Sequence, residues 1–109
     1  MPKKTKLKMI KAIVKHPKQD PYITPLSAEL EAMQELVGGY LQEVAIASDC
    51  VILCDEDGKL KGKPYNCTFL SHDLVGTLVF VGVENNDWTD IPLTYGEFRA
   101  SFPALYKEA

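Results

Sequence analysis

Apolar positions along this chain change period several times, and each change predicts an element. Residues 7 to 15, Leu-Lys-Met-Ile-Lys-Ala-Ile-Val-Lys, fit two periods. Leu7, Ile10 and Val14 share a helix face, whereas Ile10, Ala12 and Val14 share a strand face. The β-branched pair Ile13-Val14 and the stop at His16-Pro17 favour a strand, and the interspersed lysines suit a sheet edge. Three prolines between Pro17 and Pro25 predict a turn with a short extended piece at Tyr22-Ile23. Ser27 then reads as an N-cap, with Leu26 before it as a hydrophobic staple. Glu29 and Glu31 lie in the first turn, where the helix dipole favours acids, and Leu30, Met33 and Val37 come after them at helical spacing. Gly38-Gly39 stops the helix, because glycine accepts the left-handed conformation at a C-terminal end.

Beyond the glycines the period shortens. Residues 42 to 54 read as strand interrupted at Ala47-Ser48-Asp49, and Asp55-Glu56-Asp57-Gly58 is a turn signal. Residues 74 to 83, Leu-Val-Gly-Thr-Leu-Val-Phe-Val-Gly-Val, are too β-branched and too short a run for a buried helix. They predict a central strand, with Gly76 as a bulge or a point of close approach. Asn85-Asn86-Asp87 turns the chain. Thr94-Tyr95-Gly96-Glu97 is a capping box for a last short helix, with Phe98, Phe102 and Leu105 on one face and Pro103 as its break or kink. The sum is an α+β fold: a small antiparallel or mixed sheet, one helix packed on a face and a short C-terminal helix. Residues 1–109 form a single domain, with the basic residues 1–6 expected to be disordered.

Composition narrows the setting. No apolar run approaches the roughly 20 residues of a bilayer-spanning helix. Lys11, Lys15 and Lys18 interrupt the apolar segment after the basic start, which argues against a signal peptide. Three cysteines, an odd number, point to reduced thiols and a cytoplasmic location. Charge is uneven: residues 1–18 carry seven lysines and no acid, and the remaining residues carry a net −10, giving −3 overall. The basic stretch has neither arginine nor aromatic residues to read or stack on bases, which argues against direct nucleic-acid binding. The acidic remainder suits a basic partner surface, or simply solubility.

Candidate chemistry is sparse. Cys50 and Cys54 would share a strand face about 13 Å apart, too far to hold one zinc ion, and free cysteine is usually buried. Cys67 and His72 complete no ligand set by spacing. The 55–58 turn lacks the acid at position 66 that a calcium loop needs, since Asn66 stands there. His72-Asp73 beside Ser71 or Cys67 has no triad spacing, Gly58 to Lys63 is not a phosphate loop, and no carboxylate pair stands out. A non-enzymatic protein without metal or cofactor is expected. Trp88, Tyr65, Tyr95 and Tyr106 fall in or beside predicted loops and helix ends, where they either anchor a partner or cap the core.

With these elements placed, the chain resembles the small family catalogued as domain of unknown function 3846, found in phages, plasmids and other mobile elements. The resemblance is carried by Leu36-Val37-Gly38-Gly39-Tyr40, by residues 51–60 (Val-Ile-Leu-Cys-Asp-Glu-Asp-Gly-Lys-Leu), by Gly76-Thr77-Leu78-Val79-Phe80-Val81-Gly82 and by Asp90-Ile91-Pro92-Leu93-Thr94. It supplies no catalytic residues. It implies a phage or mobile-element accessory protein that inhibits a host defence protein by binding, with a CRISPR effector nuclease as the leading target and a restriction enzyme as the next. For that role the expected contacts are Asp55, Glu56 and Asp57 in the turn, with Trp88 and Asp90 on a neighbouring loop. The alternative is a small ligand, such as a nucleotide signal, held between the first helix and the sheet. There the backbone amides of Gly38-Gly39 and Gly76-Thr77 would approach a phosphate.

Overall fold

The most apolar stretch of the chain becomes the centre of the sheet. The computed structural model describes residues 8–69 and 71–107, so residues 1–6 and the disorder expected of them lie outside it. In chain order the elements are β1 (Met9–Lys15), β2 (Tyr22–Ser27), α1 (Leu30–Val37), β3 (Leu41–Ala47), β4 (Cys50–Asp55), β5 (Tyr65–Phe69), β6 (His72–Val75), β7 (Leu78–Glu84), β8 (Asp87–Thr89) and α2 (Tyr95–Ser101), with a 3-10 turn at Pro103–Leu105 after them. The main sheet has the order β2-β1-β7-β4-β3, with β8 also beside β7, and β5-β6 form a separate hairpin. All pairings are antiparallel, as in the expected α+β fold.

β7 has both edges paired, by β1 and β4, and both faces covered by the two core clusters, so Leu78, Val79, Phe80 and Val81 are each 0% exposed. This is why its sequence is continuous rather than alternating. On one face Val79 and Val81 join Ile10, Val51 and Leu53 beneath Met33 and Val37 of α1. On the other, Phe80 and Ile52 join Cys67 and Leu74 of the β5-β6 hairpin and Phe98 of α2. Phe80 and Phe98 meet edge to face, ring centroids 5.0 Å apart, a geometry favoured by the ring quadrupoles. The sheet is therefore the middle layer, with α1 on one side and the hairpin plus α2 on the other.

Several expectations need correction. β1 is interior, and the edge is β2, which runs through Pro25. An edge strand tolerates proline because the missing N–H can face outward. Helix α1 begins at Leu30 with Glu29 as N-cap, while Ser27 ends β2 and its Oγ accepts the Glu29 N–H at 3.2 Å. Leu30 is consequently exposed rather than part of the buried stripe. The apolar run 74–83 is two strands, because Gly76 adopts φ +74° and turns the chain between β6 and β7. β5, β6 and β8 lie where no separate strand was expected. The Gly38 stop holds: φ is +86°, and the Gly38 and Gly39 N–H groups both donate to the Gln34 carbonyl. The Thr94 capping box holds too.

Candidate functional site

β4 delivers Asp55 to the point where the C-terminal end of α1 and the 56–64 loop meet. Its side chain is 1% exposed, and one carboxylate oxygen accepts from Lys61 Nζ at 2.8 Å and from Lys63 Nζ at 2.7 Å. The other oxygen accepts the Asp57 N–H at 2.9 Å. Each ammonium also donates to a carbonyl at the end of α1: Lys63 to Val37 at 2.7 Å and Lys61 to Gly38 at 3.0 Å. Those carbonyls have no partner within the helix and carry its negative dipole end. Burial alone would raise the Asp55 pKa, but the Lys61 and Lys63 hydrogen bonds and the Asp57 amide hold it well below the ordinary carboxylate range. One carboxylate and two ammoniums thus join helix, strand and loop.

The glycines make room for this clamp. A Cβ on Gly39 would stand 2.5 Å from the Asp55 carboxylate, and one on Gly38 would stand 2.7 Å from Lys63 Nζ. A Cβ on Gly76 would stand 2.9 Å from Lys63 Cδ. The fold does bring these glycines to the clamp, but Gly38 and Gly76 face the Lys63 side chain and Gly39 faces the Asp55 carboxylate. Their amides are already used, by the Gln34 carbonyl and, for Gly76, by the Pro64 carbonyl. Thr77 turns its hydroxyl to His16 Nδ1 at 2.9 Å. The expected phosphate cradle between the first helix and the sheet is therefore filled by protein.

The expected partner contacts separate as well. Asp55 is internal, which corrects its reading as a solvated turn carboxylate. Glu56 is exposed and Asp57 half-buried. Trp88 is half-buried against the α1-side core, and its Nε1 donates to Glu43 at 2.9 Å. Asp90 is exposed, yet one carboxylate oxygen accepts the Lys11 N–H at 2.8 Å, while the Ile91 N–H donates to the Lys11 carbonyl. Residue 53 pairs with residue 79, whereas β8 pairs with residues 82 to 84. The turn and Trp88 are thus at opposite ends of the sheet, about 20 Å apart by strand rise. Between them lies Glu43, which pairs with Leu53 and accepts the Trp88 indole N–H.

What stands beside Glu56 and Asp57 instead is apolar. Leu60 is 89% exposed and Tyr40 71% exposed. Tyr40 shares a shallow cleft with Glu35, Asp57 and Lys61. On the other flank Glu56, Lys59 and Leu60 face His72 and Asp73 across a cleft of about 140 Å³. The loop is less acidic than its first residues imply, since residues 55–63 hold three acids and three lysines. Acid is concentrated on α1, whose Glu31 and Glu35 are exposed one turn apart. The sequence does hold a signal for Tyr40 and Leu60: neither belongs to any apolar period, and Leu60 lies alone among charges.

All three cysteines are free and buried. Burial raises each thiol pKa, that of Cys50 to about 11 with help from the Asp49 charge. Among the described residues no group of three or more His, Cys, Asp and Glu is placed to hold a metal, and no helix is long and apolar enough to cross a membrane. Compared with known families, the model described as "Domain of unknown function (DUF3846)" matches residues 10–102. No curated protein and no solved structure matches the chain.

Proposed function

The chain belongs to the family of domain of unknown function 3846, and we propose that it acts by binding another protein through the surface where α1 ends and the 56–63 loop begins. The observation that carries this is the Asp55 clamp, a charged network around a buried carboxylate that shapes a surface loop with exposed Leu60 on one flank and exposed Tyr40 on the other. Loops held on a rigid scaffold are where recognition concentrates, and large exposed apolar side chains rimmed by charge suit an interface. Glu31, Glu35, Glu56 and Asp57 supply an acidic rim, which favours a basic partner. We read this surface as that of a binder. The partner class is a host defence protein with a basic groove for nucleic acid. A CRISPR effector nuclease is the first candidate and a restriction enzyme the second, a choice that rests on the mobile-element context of the resemblance.

The test is capture of such nucleases by the purified chain, then cleavage assays with and without it. Replacing Tyr40 and Leu60 by serine should leave folding stability within about 0.5 kcal/mol, because both are surface side chains. The same change should abolish capture and restore cleavage. Capture that is unchanged in this double variant, or unchanged cleavage by every candidate nuclease, sinks the proposal.

A further inference from the structure

At the end of the sheet where β1 leaves and β5 begins, a cleft of about 390 Å³ is lined by Lys15, Lys18, Tyr65, Asn66, Tyr106 and Lys107. Lys15 is the unusual member. It is 4% exposed, and its ammonium makes one long contact, 3.4 Å to the His16 carbonyl. Among the described residues the carboxylate–lysine pairs within 4 Å all belong to Asp55, so none involves Lys15, Lys18 or Lys107. Asp20 is the nearest compensating acid, but one of its oxygens accepts the Lys107 backbone N–H at 2.9 Å. An ammonium taken from water without a counter-ion is costly, and buried cations are ordinarily paired.

A further orphan belongs to a residue lining the same cleft. Asn66 Oδ1 is buried without a hydrogen-bond partner among the described residues. Asn66 is fixed by its Nδ2, which donates to the Lys15 and Gly76 carbonyls at 2.8 and 2.7 Å. Folded proteins carry few such atoms, and this one lies beside a buried ammonium that also lacks a counter-ion. Burial lowers the Lys15 pKa, and the Lys107 charge lowers it further against the opposing pull of Cys67 and Asp20. An anion entering the cleft would supply the counter-charge that the buried Lys15 ammonium lacks.

We infer that this cleft binds a small phosphomonoester. Its dianionic phosphate would lie among the Lys15, Lys18 and Lys107 ammoniums, and a neighbouring hydroxyl or amine would donate to Asn66 Oδ1. Lysines without an arginine fork act as point charges, which suits a compact dianion better than a planar carboxylate. The exposed Tyr65 offers an apolar wall to the rest of the molecule. This site is separate from the Tyr40–Leu60 surface, so either can fail without the other.

The experiment is titration of the ¹⁵N-labelled full chain, at constant ionic strength, with inorganic phosphate, with AMP as a phosphomonoester and with adenosine as its unphosphorylated counterpart. Saturable amide shifts confined to residues 15–19, 65–66 and 105–107 are expected with phosphate and AMP, and none with adenosine. The exposed residues Lys18 and Lys107 can be changed without touching the core, and Lys18→Ala with Lys107→Ala should weaken AMP by about tenfold. Lys15→Met should abolish binding; if that variant does not fold, the surface pair still decides. Absence of saturable shifts with both phosphate and AMP, equal response to adenosine, or unchanged affinity in the double variant overturns the inference.

Discussion

Removing the Asp55 carboxylate would leave Lys63, 22% exposed at its side chain, without its counter-charge. Breaking a buried pair costs about 3–5 kcal/mol. Asp55→Asn should fall near the low end, about 3 kcal/mol in a urea titration, because Lys61 is 44% exposed and can rehydrate. The same carboxylate predicts a pH dependence. Its folded pKa lies below the ordinary 3.8, so its stabilisation is complete at neutral pH. Below 3.8 the unfolded chain takes up the proton first, and stability falls until the folded carboxylate is protonated. Asp55→Asn should therefore lose stability less steeply than wild type below about pH 4. Gly39→Ala probes the same clamp from outside. Its Cβ would enter the carboxylate, costing about 1–3 kcal/mol by overpacking. Gly39→Ala combined with Asp55→Ala, which removes the colliding atoms, should cost less than the sum of the two, which a double-mutant cycle would read directly. Additivity would show that Gly39 is constrained by something other than Asp55.

At the scale of elements, β8 is the piece held by the fewest residues. Three pairs join it to β7 across the turn Asn85-Asn86, whose φ values of 54° and 66° match the twist of a two-residue hairpin. Asp90 then ties the chain to β1 through the Lys11 N–H. Gly82 permits this arrangement, because a Cβ there would collide with the Asp90 backbone carbonyl. Gly82→Ala should detach β8 locally. Amide exchange at Trp88, Asp90 and Ile91 should accelerate strongly, while the amides of β4 remain protected. If exchange quickens equally throughout the sheet, β8 is part of the global cooperative unit and not a separable edge. The period of residues 74–83 alone did not show that Gly76 and Gly82 do different jobs. One turns the chain with positive φ and the other admits a neighbouring backbone, and both look like a missing side chain in an apolar run.

For the whole molecule, the sheet's two covered faces predict unreactive thiols. Cys50, Cys54 and Cys67 all face the core shared with the β5-β6 hairpin and α2. A thiol-specific reagent at about pH 8 should label none of them in the native state, and labelling should track global unfolding on adding urea. Cys50 resists ionisation strongly, at about 11 against an ordinary 9.0. Rapid native labelling of one cysteine would show that the hairpin opens independently of the sheet. Charge is also arranged at this scale: exposed Glu31 and Glu35 stand on α1, while Lys15, Lys18 and Lys107 gather where β1 ends.

Elements whose causes are local were legible in the chain alone. The Gly38 stop, the Thr94 capping box and the β-branched run around Phe80 arise from φ preferences, side-chain caps and apolar period, all within a few residues. The rest was settled by folding, because it depends on residues far apart in the chain. Asp55 reads as a solvated turn acid until Lys61, Lys63 and the end of α1 close over it. Lys15 reads as an edge lysine until β2 takes the edge and residues 64–66 and 105–107 wall it in. Trp88 and the 55–57 turn read as neighbours until strand register places them at opposite ends of the sheet. A charge's environment and a surface's membership are set by long-range pairing, and local period carries no record of either.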